Sequence, residues 1–226
     1  MLRLAVVCAL AVTSAPARAE SRTYDAATRR AEQLRARWAE RWARSGDRAA
    51  LVGPIGEDIT AEIRALSRHW LGTRWGLGAP QSRRPGAGKI NCGTFVGTLL
   101  HDAGFAVDVG KLQRQPSQLI IASFVGARRT RKWSGASMDR FIAEVRAMGP
   151  GLYIIGLDFH VGLLIQTEGD LRFIHASYVT KTVVDEPAAS ALPITESRYR
   201  VVGKLLDRSN VRDWLERRPI RVKGNW

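Results

Sequence analysis

Cys92, His160 and His175 are three side chains whose types and order along the chain suit a single reaction. A thiol attacks as the thiolate, and a helix N-terminus with a neighbouring imidazole lowers its pKa from about 8.5 to roughly 3.5–7.5. The string NCGTFV opens an apolar helix at the cysteine, and the backbone N–H groups of that first turn can receive an oxyanion. His160 is then the candidate base that takes the thiol proton and returns it to a leaving amine. His175 is the candidate third group, holding the His160 ring in one tautomer through a ring nitrogen, with Asp158 as its substitute. Zinc on the same three residues would lack a visible fourth ligand, so no metal or other cofactor is expected. His69 and His101 fall beside apolar helix faces and read as ordinary helix histidines, and the acids Asp170, Asp185 and Glu186 read as solvated.

The sequence holds two cysteines, and Cys8 lies within a stretch that reads as a signal peptide, residues 1–19. Arg3 precedes an apolar run from Leu4 to Val12, and Ala17-Arg18-Ala19 forms a small-residue exit before Glu20. The run is too short to span a bilayer as a helix. Val6-Val7 before Cys8 is not the small-residue context of a lipoprotein cysteine. The expected location is therefore periplasmic or secreted. Loss of the leader leaves Cys92 without an intramolecular disulfide partner. It is then a disulfide to another chain, a buried inert thiol or a nucleophile.

The elements that must position these residues change character along the chain. Leu34, Trp38 and Trp42 lie at helical spacing in an Ala/Arg-rich segment, Tyr24 to about Ala50, ended by Ser45-Gly46-Asp47. After Pro54, the residues Ile55, Ile59, Ile63, Leu66 and Trp70 form a second apolar stripe, which Gly72 closes. Residues 72–91 are rich in Gly and Pro and read as a long loop. Phe95, Val96, Leu99 and Leu100 give the apolar face of the helix that starts at Cys92, and a further helix is expected from Met138 to Met148. Five short β-rich runs follow, at Leu152–Ile155, Val161–Ile165, Leu171–Ile174, Thr182–Val184 and Tyr199–Leu206. A last short helix is expected at about Asn210–Arg217. Helices first and an antiparallel sheet afterwards make an α+β fold. A hairpin turn at Glu168–Asp170 would bring His160 and His175 to the same edge of the sheet.

The strings NCGTFV, DFHVGLLI and RFIHAS resemble the three motifs of the NlpC-type papain-like cysteine peptidases. These are an Asp-Cys-Ser-Gly helix start, a His-Val-Gly-Ile-Tyr strand and a Phe-Ile-His-Ala-Ser strand end. GTRWGLG and PGLYIIG resemble the family's loop and the strand before its histidine. The resemblance covers about residues 66–180. It implies a papain-like fold, with helices packed on a five- to six-stranded antiparallel sheet and the nucleophile at a helix N-terminus. It also implies Cys92 as nucleophile, His160 as base and His175 as orienting residue. Asn91 and Gly93 stand where the family has Asp and Ser, and Trp75 and Arg74 stand where its loop has Tyr and Pro. These four are the candidate substrate-binding residues, and the changes mark a divergent branch. The chain is thus expected to divide into the leader, an N-terminal helical extension (20–52) and a hydrolase domain (53–226).

Net charge is +14, or +12 once Arg3 and Arg18 are lost with the leader. Such a chain is drawn to anionic polymers or membrane surfaces. The dense run Arg128–Trp133 reads as a solvated loop, and no zinc-finger spacing or phosphate loop is present, so no specific nucleic acid is expected. The expected function is an exported cysteine hydrolase that cleaves an amide bond through a thioester on Cys92, in peptidoglycan stem peptides or another amide-containing substrate. The alternatives are an acyltransferase or lipid-ester hydrolase on the same scaffold, or a non-catalytic binder of anionic wall polymers.

Overall fold

A computed structural model of the chain describes residues 15–224, with side chains from residue 23 onward. Most of the expected leader, including Cys8, lies outside the described residues. Helix α1 (Ala15–Arg44) and helix α2 (Arg48–Trp70) form an antiparallel pair joined at Ser45-Gly46-Asp47. The Asp47 carboxylate accepts from the N–H groups of Ala49 and Ala50, both at 3.1 Å, and so caps α2. This cap sets the helix start at Arg48 rather than after Pro54. Pro54 sits in the second turn, where it removes one backbone donor. The buried stripe Leu51, Ile55, Ile59, Ile63, Leu66 and Trp70 offsets that loss. Tyr24, Ala27, Ala31 and Trp42 of α1 are buried, and Trp38 Nε1 donates to Asp58 at 2.7 Å. The tryptophan stripe of α1 is therefore turned toward the rest of the chain.

Six strands form one antiparallel sheet: β3 (Thr130–Ser134), β4 (Gly151–Leu157), β5 (Val161–Gln166), β6 (Leu171–Ala176), β7 (Val183–Pro187) and β8 (Tyr199–Lys204). Their spatial order is β3-β8-β4-β5-β6-β7. Strand β3 corrects the solvated loop expected at Arg128–Trp133. Thr130 and Arg131 pair with Gly203 and Val202, and only the start of that run, Ala127–Arg129, is a 3₁₀ turn. One buried residue explains the difference. Trp133 is buried edge-on against Phe141, while Arg131 and Lys132 face solvent on an edge strand that charge protects from further pairing.

Alternate side chains send the sheet's two faces into two cores. Leu152, Ile154, Val161, Leu163, Ile165 and Ile174 pack with α2, with α3 (Cys92–Asp102) and with α5 (Ser117–Phe124). Tyr153, Ile155, Leu164 and Phe173 pack instead with Phe141 and Val145 of α6 (Met138–Arg146) and with Ile194 of the short α7 (Leu192–Thr195). The fold is α+β, helices packed on a six-stranded antiparallel sheet. No helix among the described residues is long and apolar enough to cross a membrane.

Residues 72–91, expected as loop, contain two short parallel strands, β1 (Arg74–Trp75) and β2 (Lys89–Ile90). β1 is fastened to the entry of β7, with Trp75 N donating to Lys181 O at 2.8 Å and Val183 N to Thr73 O at 2.9 Å. At the C-terminal end, helix α8 (Arg208–Leu215) closes the first core. Its Trp214 Nε1 donates to Ala103 O, just past the end of α3, at 2.7 Å. Trp214→Ala removes both that bond and a fully buried ring. A loss of about 3–5 kcal/mol is expected, read as a lower urea midpoint with little change in slope. An unchanged midpoint would show that α8 is not part of the cooperative unit.

Candidate active site

Helix α3 begins where its capping chemistry dictates. Asn91 has extended backbone geometry, and its side-chain oxygen accepts from Thr94 N at 2.8 Å. Asn91 N donates to Gln81 Oε1 at 2.6 Å, which ties the helix start to the glycine-rich loop. Gly93 follows because a Cβ there would stand 3.2 Å from the Gln113 carbonyl oxygen, just beyond α4 (Val109–Leu112). Cys92 is thus presented on the first residue of the helix, half-buried and not in a disulfide. The backbone N–H groups of Val161, Gly93 and Cys92 itself act on the sulfur so as to favour the thiolate. Val161 is the residue after His160.

The sequence leads to a thiolate stabilised by the helix N-terminus, but in the structure burial wins. Loss of solvent pushes the Cys92 thiol above its ordinary pKa, against the pull of those three N–H groups. The resting group is a neutral thiol.

The two histidines meet as the β5–β6 hairpin requires. His160 ends the β4–β5 turn and His175 lies near the end of β6. Nε2 of His160 is 2.7 Å from Nδ1 of His175, and both residues are buried. Phe173 stacks on the His175 ring with centroids 3.9 Å apart, and Tyr178 meets the His160 ring edge-on at 5.3 Å. Gly162, between the two, permits the pair: a Cβ there would fall 2.4 Å from Phe173 Cε2 and 2.9 Å from His175 Cβ. Burial, and after it the neighbouring His175, lowers the His160 pKa to about 3. Burial also lowers that of His175, opposed by Glu186. Both rings are neutral at neutral pH.

Cys92 and His160 line one cleft of about 780 Å³, a size suited to a small ligand or peptide segment. Among the described residues no hydrogen bond joins the sulfur to the imidazole; the sulfur rests against backbone donors. The His160 ring nitrogen left over from the histidine pair is Nδ1. Asn91 and Gly93 also line the cleft, but Arg74 and Trp75 do not. Arg74 is exposed on β1, and the Trp75 ring packs against Tyr178 and lies under Lys181 Nζ at 4.7 Å. Arg83 and Arg84 border a separate hollow beside α1, where Arg84 pairs with Asp25. Fastening of β1 to the start of β7 turns this part of the loop away; Leu77 is the loop residue that reaches the cleft.

Two residues differ from their reading in the sequence. Asp158 is not an orienter for His160, because its carboxylate accepts from Arg198 N at 2.9 Å and Tyr199 N at 3.0 Å. Glu186, read as solvated, places Oε1 at 2.8 Å from His175 Nε2. The expected strand stopped at Val184. Continued two residues further in register, it sets Glu186 opposite Phe173 and diagonal to His175. Strand length was the missing signal. The ligating atoms of His160, His175 and Glu186 face one another, so the cluster is a hydrogen-bonded chain rather than an open metal site.

The charged groups that border the cleft are Asp158 and Arg198, and Arg198 is the exposed guanidinium there. A carboxylate in the cleft would therefore meet the guanidinium of Arg198 rather than that of Arg74. Arg198→Ala is expected to raise KM for a carboxylate-bearing substrate about tenfold, with Arg74→Ala near the wild-type value; charge-assisted bonds are worth about 1.5–3 kcal/mol. The reverse ranking would return recognition to the loop. A second expectation concerns acid. With the folded His160 pKa near 3 and an ordinary value of 6.5, the unfolded chain binds more protons between these limits. Stability from this residue is full above about pH 6.5 and lost as pH falls toward 3. In denaturant titrations across that range, His160→Gln should flatten the acid slope relative to wild type. Equal slopes would mean that the ring is not buried neutral.

No protein-family model matches the chain, and no curated protein matches it either. Among solved structures it is similar to an N-acetylmuramoyl-L-alanine amidase from Bacteroides uniformis ATCC 8492. That similarity is at 13% identity and a TM-score of 0.37, over 67% of this chain and 99% of that one.

Proposed function

We propose that the protein is an exported cysteine hydrolase that cleaves an amide bond in peptidoglycan stem peptides through a thioester on Cys92. The observation that carries this reading is one cleft lined by a helix-start thiol and by a buried imidazole already hydrogen-bonded to a second one. The resemblance to NlpC-type peptidases in motif order supports the same roles. Leader-like residues 1–19 and the positive charge support a site of action outside the cytoplasm, near anionic wall polymers.

The chemistry follows from neutral partners. As Cys92 Sγ attacks the amide carbon, its proton passes to His160 Nδ1, so the charged pair exists only along the reaction path. The carbonyl oxygen becomes an oxyanion beside the N–H groups at the start of α3. Collapse breaks the C–N bond, and His160 gives the proton to the leaving amine. Water then attacks the thioester with His160 as base. This releases a carboxylic acid and restores the thiol.

Mass analysis of muropeptides incubated with the protein tests the proposal. A free acid and a free amine are expected from the intact protein, and an acyl-enzyme on Cys92 after rapid quenching. Cys92→Ala should lower turnover at least 10³-fold, since members of a catalytic unit fail together. Turnover that survives in Cys92→Ala would rule out the thiol mechanism. A new amide formed with an added amine would assign acyl transfer instead of hydrolysis.

A further inference from the structure

We propose that Glu186 is a positioning residue that fixes the tautomers of both histidines and thereby keeps His160 Nδ1 free to accept the Cys92 proton. The proposal rests on the cysteine-hydrolase reading above and extends it to a residue on the edge strand. The argument starts from the carboxylate. Glu186 Oε1 lies 2.8 Å from His175 Nε2, and an ionised carboxylate can only accept. His175 therefore carries its proton on Nε2, and its Nδ1 is a lone pair. That lone pair lies 2.7 Å from His160 Nε2, which must then be the donor. His160 in turn has its proton on Nε2 and a lone pair on Nδ1. One acceptor at the end of the chain sets every proton along it.

Without that acceptor the pair has a second arrangement of similar quality. His175 can hold its proton on Nδ1 and donate to His160 Nε2. His160 Nδ1 then carries the proton and cannot accept from the thiol. No charge is exchanged between the two arrangements, so burial does not choose between them; Glu186 does. Its carboxylate is free for this task. The neighbouring Arg172 is engaged with Asp185 at 2.7 Å, and Glu186 meets the neutral ring of His175. The Glu186 side chain is 29% exposed, while that of its partner is fully buried.

The rival reading is a staple that merely holds β7 to β6. Glu186→Gln separates the two, because the amide oxygen still accepts from Nε2–H while the amide NH₂ now also donates to a bare Nε2. A staple survives this change and a tautomer lock does not. The test uses the full chain and needs no substrate. Nitrogen-15 shifts of the imidazoles report which nitrogen is protonated, with His69→Gln and His101→Gln for assignment among the 4 histidines. Iodoacetamide alkylation at pH 7 reports the assistance given to Cys92. In wild type, Nε2 of both rings should be protonated. In Glu186→Gln the His160 and His175 shifts should move toward a mixture, and alkylation should slow with the urea midpoint unchanged. Partners that orient a functional histidine are worth about 10–100-fold, and a slowing of that order is expected. Wild-type shifts and alkylation in Glu186→Gln would overturn the proposal. His160→Ala distinguishes the parent reading: if it leaves alkylation untouched, the base assignment fails, while the imidazole shifts still decide the role of Glu186.

Discussion

The missing side chain at Gly162 is the constraint on which the candidate site depends. The β5–β6 register puts Leu163 opposite Ile174 and Leu164 opposite Phe173, which leaves Gly162 beside His175. Any Cβ there would occupy the space of the Phe173 ring edge and the His175 Cβ. The Phe173–His175 stack keeps its place only because this position has no side chain. So placed, His175 has its Nδ1 against His160 Nε2 and its Nε2 against Glu186 of the edge strand. Interiors pack too densely to absorb such an intrusion by small shifts elsewhere. A displaced ring would change hydrogen-bond geometry, which decays steeply with angle.

Burial plays opposite parts on Cys92 and His160, and the balance bears on the chemistry proposed for them. It holds the thiol protonated and the imidazole unprotonated. Each shift favours the neutral form, as removal from water must. The site therefore differs from a preformed thiolate–imidazolium pair. In the proposed reaction proton transfer would accompany attack, so the direction in which His160 Nδ1 presents its lone pair would matter more than its affinity for a proton at rest. In that reaction the N–H groups at the start of α3 would act once negative charge has moved to the substrate oxygen.

Much of this arrangement was legible in the sequence. Hydrophobic periodicity gave α2 and α3 their inward faces, and alternation with turn residues gave five of the six strands in the sheet. The order Cys92, His160, His175 gave the two rings their meeting point at one sheet edge. Three features were not legible, each for a physical reason. Strand β3 hides its single buried residue, Trp133, among arginines and lysines. The start of α2 depends on a cap at Asp47 that outweighs a proline in the second turn. The role of Glu186 depends on how far β7 continues in register, which local propensity does not specify in a strand ending Val-Asp-Glu-Pro. The substrate-side residues were the least legible. Arg74 and Trp75 are close to Cys92 in sequence logic, yet β1 is bonded to the β7 entry and carries both away from the cleft.

The distribution of charge separates attraction from recognition. The chain carries a net +14, but the cleft is bordered by one guanidinium and one carboxylate, and that carboxylate is spent on capping the entry to β8. Glutamines 113, 115 and 118, the exposed ring of Phe159 and the half-buried ring of Tyr199 supply most of its remaining chemistry. Amides and apolar faces read shape and hydrogen-bond pattern, and their strength changes little with salt. The arginines on α1 and the other exposed surfaces act over a Debye length and fade as salt rises. A protein built in this way would concentrate on an anionic polymer by one set of residues and select the bond to cut by another. Under the proposed function, association with the polymer and choice of bond would then vary independently, because few residues belong to both.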